Sequence, residues 1–136
     1  MLSEEEQVRK DLREWRKQEH AINACIEAKG RMEKQVQILL EFGRTADAQK
    51  IDAQIQSLKI DALIANAQKR REKYIKAIEQ LSSVDKTIIV DSMINGKSYL
   101  RLSHELSYSE ASIKWRAKNA IKKICAYIAK ENNEKV

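Results

Sequence analysis

No proline occurs anywhere in the 136 residues, and glycine occurs only three times. A chain this short of turn-forming residues cannot make the frequent reversals of a β-sandwich or barrel. Aromatic side chains, at 5%, are also too scarce to furnish its strands. Ala, Glu, Lys, Gln, Arg and Leu, all good helix formers, dominate instead. Apolar residues make up 43% of the chain, enough to bury, which argues against disorder throughout. The expected fold class is all-α.

Apolar positions in the first half recur at three-to-four spacing. Ser3 followed by Glu4, Glu5 and Glu6 reads as a capped helix start with acidic residues at the positive end of the dipole. From Val8 the stripe passes through Leu12, Trp15, Ile22 and Ile26 to Met32, Val36 and Leu39, so one long helix with a narrow buried face is expected. Gly30 weakens it and could mark a bend. The best break is Phe42-Gly43-Arg44-Thr45, after which a second stripe runs from Ile51 to Leu81. Two helices of roughly 40 residues joined by a short turn most simply fold back on each other. The cluster Lys69-Arg70-Arg71, with Lys73 and Lys76, is either a solvated helix end or a phosphate contact.

Beyond Ser82-Ser83 the elements shorten. Asp85–Ile94, a turn at Asn95-Gly96-Lys97, Tyr99–Leu106, a turn at Ser107-Tyr108, and a long helix from about Ser109 have the arithmetic of a helix-turn-helix. The expected division is therefore 1–82, a coiled-coil-like helical hairpin for dimerisation or partner binding, and 83–136, a three-helix module.

Charge separates the two parts. Residues 1–44 carry nine basic and nine acidic side chains, whereas residues 97–123 carry seven basic and two acidic ones. The net charge of +6 suits a polyanionic partner, and its excess lies near the C-terminus. At about 100° per residue, Ile113, Ala117, Ala120, Ile121, Ile124, Tyr127 and Ile128 occupy roughly a third of the last helix. Lys114, Lys118 and Lys122 share a separate arc with Ala111 and Trp115, and Arg116 lies on the opposite flank of the apolar arc. Trp115 either packs against the N-terminal helices or a second subunit, or touches a thymine methyl or the sugar-phosphate backbone. Ser98 caps the preceding helix, and Lys97 and Arg101 sit near its start, where helix-turn-helix proteins meet phosphates.

Asn95 through Arg116 resembles the region of bacterial sigma factors that reads the −35 promoter element, sigma region 4. Gly96, Ser98, Tyr99, Leu106, Ser109, Ile113, Arg116 and Ala120 match the family pattern, and Leu102 and Ser103 match conservatively. Arg101 stands where a glutamate is usual and Ser107 where a turn glycine is usual. The arrangement is similar to phage-encoded transcriptional regulators of the ArpU/RinA type, with Leu81 to Ile89 resembling their entry into the sigma-like module. The resemblance covers about the last 55 residues. It implies a late-gene activator whose base-facing residues are Glu110, Ala111, Lys114 and Trp115, with phosphate contacts from Lys97, Arg101, Arg116, Lys118 and Lys122. Glu110 would accept from a cytosine amino group or simply favour the helix N-terminus.

The implied partners are double-stranded DNA, host RNA polymerase and a second copy of the chain. An adaptor that engages polymerase through protein contacts is the alternative, and a structural helical protein with a basic tail is a third reading. No CxxC or HxxxH spacing suggests a metal, and no cofactor loop or nucleophile motif suggests an enzyme. No apolar run approaches the roughly 20 residues of a bilayer span, and the acidic N-terminus does not resemble a signal peptide. Cys25 and Cys125, a hundred positions apart, do not read as a disulfide framework. A bacterial cytoplasm, at the nucleoid, is the expected setting.

Overall fold

A computed structural model of the chain describes residues 1–134, and among them every regular element is helical. The fold is all-α. Its helices are α1 (Glu4–Arg13), α2 (Trp15–Glu41), α3 (Thr45–Ser57), α4 (Ile60–Glu79), α5 (Ser83–Ile89), α6 (Tyr99–Leu106) and α7 (Glu110–Glu134), with a π-helical turn, Val90–Ile94, continuing α5. They form two compact units, one made of residues 1–16 together with 70 onward, the other of residues 17–69.

Helix α1 starts where the serine and acidic run place it. The Glu6 amide donates to Ser3 Oγ at 3.2 Å and the Ser3 amide to Glu6 Oε2 at 3.3 Å, a reciprocal capping box. The expected single helix up to residue 41 is interrupted at Glu14, whose backbone sits at φ −87°, ψ 1°. No glycine or proline marks this break. The neighbouring side chains anchor it instead, with Arg71 stacked 4.4 Å from the Trp15 ring centre and Arg16 Nη2 donating to Asn95 Oδ1 at 2.9 Å. Helix α1 thereby places Val8 and Leu12 in the core of the first unit, while Tyr74 donates its hydroxyl to the Asp11 carboxylate.

That core continues through Ala77 and Ile78 at the end of α4, Leu81 just beyond it, Ile88 and Ile89 in α5, Met93 in the π turn and Leu102 in α6. Helix α7 contributes Ile113, Ala117, Ala120, Ile121 and Ile124, all fully buried. The hydrophobic cluster therefore reaches across the 82/83 boundary drawn from sequence, because the three C-terminal helices share their apolar surface with α1 and α4. Truncating Leu12, which has no exposed surface, to alanine should lower the unfolding free energy by about 3 kcal/mol. Urea denaturation checks this, and a self-sufficient module starting at residue 83 would not register the change.

Local chemistry sets the C-terminal boundaries. Ser82 Oγ accepts from the Asp85 amide at 3.2 Å and Ser98 Oγ from the Arg101 amide at 3.1 Å, capping α5 and α6. In the π turn the Asn95 amide donates to the Val90 carbonyl at 2.9 Å, and Ser92 Oγ bonds back to the Ile88 carbonyl at 2.6 Å. Gly96, at φ +74°, then reverses the chain. Ser107 ends α6 in the left-handed region at φ +60°, the conformation a glycine would take without strain, at a cost of about 1 kcal/mol.

In the second unit α2 runs unbroken through Gly30. It ends at Gly43, where the Arg44 amide donates to the Leu39 carbonyl at 2.8 Å and the Gly43 amide to the Leu40 carbonyl at 3.0 Å. The expected continuous helix after Thr45 is broken at Leu58-Lys59, with Lys59 in the left-handed region at φ +50°. Lys29 of α2 bonds Asp61 of α4 at 2.5 Å and lies 3.5 Å from Glu33. Burial is thin here, being complete or nearly so only at Ala48, Ile55 and Ile60.

Candidate nucleic-acid interface

Helices α6 and α7 are joined by the short connection Ser107-Tyr108-Ser109. Ser109 opens α7, its Oγ accepting from the Ser112 amide at 3.0 Å and its carbonyl from the Ile113 amide at 3.0 Å. From that start the helix period divides α7 into two faces. Ile113, Ala117, Ala120, Ile121 and Ile124 are sealed in the core, whereas Glu110, Ala111, Lys114, Trp115, Lys118 and Lys122 are all exposed.

Trp115 is 67% exposed, so an indole stands open to solvent in the middle of the lysine face. Of the two sequence readings for it, packing within its own chain is not what the structure shows. Lys114 pairs loosely with Glu110, Nζ to Oε1 3.7 Å, one helical turn apart. That contact is solvent-exposed and worth at most a few tenths of a kcal/mol. Lys118 and Lys122 make no ion pair among the described residues.

The remaining cations expected at phosphates are placed differently. Lys97 Nζ lies 3.1 Å from Glu105 Oε2 and 3.8 Å from Asp91 Oδ2, and Arg101 Nε donates to Glu105 Oε1 at 3.0 Å. The two cations are thus brought together around one carboxylate. Lys97, followed by Arg101, holds the Glu105 carboxyl below its usual range.

Arg116, expected among the phosphate contacts, points into the first unit instead. Its Nη1 donates to Asp85 Oδ1 at 3.2 Å, and its guanidinium lies 4.9 Å from the Tyr108 ring centre. Asp85 is only 7% exposed, with Lys123 Nζ 4.0 Å from its other oxygen. The guanidinium therefore ties the start of α5 to α7 and to the α6–α7 connection. Neither Asp85 nor Tyr108 stood out from sequence; the available signal was Arg116's position on the flank opposite the lysines. Losing one partner of a buried pair costs about 3–5 kcal/mol. Because Arg116 is a third exposed and Lys123 remains nearby, Arg116→Ala should cost about 2 kcal/mol. Lys118→Ala should stay within about 0.5 kcal/mol of the unaltered chain in the same denaturation experiment.

Among the described residues no three His, Cys, Asp or Glu side chains gather as a metal site, and no helix is long and apolar enough to cross a membrane. Both cysteines are free thiols. No protein-family model, curated protein or solved structure matches the chain.

Proposed function

We propose that the chain is a sequence-specific DNA-binding transcriptional regulator that lays α7 in the major groove as the recognition helix of a helix-turn-helix. The observation that carries this reading is the division of α7, an apolar back fully buried and a front of Lys114, Trp115, Lys118 and Lys122 left open. The lysines supply sequence-independent attraction to phosphates. Ala111, Lys114 and Trp115, in the first two turns, are where such helices meet base edges, with Glu110 beside them. The resemblance of residues 95–116 to sigma region 4 supplies the narrower class, a phage late-gene activator working at the bacterial nucleoid without catalysis. One such module makes a small interface, so two copies on paired half-sites suit the reading.

A second reading, a polymerase-binding adaptor, is favoured by the exposure of Leu100 (54%) beside that of Trp115, since open apolar side chains suit protein contact. Salt response separates the two. A duplex selected from random DNA should be bound with a slope of log affinity against log salt near −4, a loss of a few hundredfold between 50 and 200 mM. An adaptor retains no specific duplex at any salt and co-purifies with RNA polymerase.

A further inference from the structure

Glu105, in α6, faces both cations expected at phosphates near the start of that helix, Lys97 and Arg101. Each of its carboxylate oxygens takes one cation, Oε2 the Lys97 ammonium at 3.1 Å and Oε1 the Arg101 Nε at 3.0 Å. Two adjacent anionic oxygens shared between an ammonium and a guanidinium are also what a phosphodiester presents through its non-bridging oxygens.

We propose that Glu105 is an internal stand-in for a DNA phosphate, occupying Lys97 and Arg101 in the free protein and yielding them to the backbone when a duplex binds. The inference rests on the DNA-binding reading above. All three side chains keep contact with solvent, at 28% for Lys97, 64% for Arg101 and 37% for Glu105, so the pairing is weak and reversible. A phosphate that displaces the carboxylate also releases condensed counterions, which the internal pair cannot do. Asp91, 3.8 Å from Lys97 Nζ, keeps the ammonium near this position while the exchange occurs. The Glu105 carboxyl, held below its usual range by the two cations, would lose them and rise when a duplex binds.

The test uses the full chain and a fluorescently labelled duplex of mixed sequence, because the effect lies at phosphates rather than bases. Glu105→Gln keeps the side chain's shape and removes its charge. It should raise affinity about fivefold at 0.1 M salt, because no internal pair then has to be broken, and leave the salt slope close to that of the unaltered chain, because the same phosphates are contacted. In a chain that also carries Lys97→Ala and Arg101→Ala, the same change should alter affinity less than twofold. Glu105→Ala repeats the comparison, and thermal unfolding of each variant verifies the fold. A carbon-detected titration of Glu105 with and without the duplex should show its carboxyl moving upward on binding. Unchanged or weaker binding by E105Q, or a gain that survives loss of both cations, overturns the inference alone. Failure of the unaltered chain to bind any duplex overturns the DNA reading with it.

Discussion

Ile113→Asp is expected to abolish the cooperative unfolding transition of the first unit at 25 °C. Ile113 lies in the first turn of α7 with no exposed surface, inside a cluster that also holds Leu102, Ile88 and Leu12. The substitution removes about 2–3 kcal/mol of apolar burial. It also leaves either an unpaired carboxylate or a neutral acid without a partner, each costing several kcal/mol more. The sum is comparable with the whole stability of a domain this size, about 5–15 kcal/mol. Circular dichroism should show a large helical loss, while Ile113→Val, which deletes one methylene, costs only about 1 kcal/mol. A well-folded Ile113→Asp variant would mean that α7 does not bury this face, and the lysine face would lose its defined orientation as well.

Replacing Lys114, Lys118 and Lys122 together by alanine is expected to cost about 500-fold in duplex affinity at 0.1 M salt. Lys118 and Lys122, each displacing a condensed counterion, contribute a factor of about eight apiece there, through a slope of about 0.9 per contact, and loss of the Lys114 base contact, on the order of 1–3 kcal/mol, supplies the remaining factor. The three substitutions lie on the exposed face of α7, so thermal stability should stay close to that of the unaltered chain. The single variants should differ. Lys114→Ala, in the second turn of α7, should relax preference at one base position by about 1–3 kcal/mol. Lys122→Ala should weaken all sequences alike and lower the salt slope by about one. Equal behaviour of the two would contradict a division between base reading and phosphate contact.

What could be read from sequence follows the range over which each interaction acts. The helical class, the caps at Ser3 and Ser98, the boundary at Ser82-Ser83, and the reversals at Gly43 and Gly96 depend on residues within a few positions of one another. The two faces of α7 follow directly from its period. The break at Glu14 does not, because it is enforced by Arg71 and Asn95, which are distant in sequence. The bend at Lys59 uses a residue type that rarely takes the left-handed region, so no local preference announces it. The inward turn of Arg116 depends on Asp85, 31 positions earlier, and the partnership of Glu105 with two cations on the turn before α6 carrying Lys97 back toward the helix's Arg101 and Glu105.

The Arg71 guanidinium stacks 4.4 Å from the ring centre of Trp15, joining side chains 56 positions apart. Residues 17–69 are therefore, in topological terms, an insertion into the sequence of the first unit. On the ribosome, the first 16 residues must wait for α7 to emerge before they find their place, so the unit closes late and through distant contacts. An engineer could splice out that insertion and join the ends with a flexible linker, whereas cutting the chain at residue 83 would strip Val8, Leu12, Ala77, Ile78 and Leu81 from the core that α7 shares.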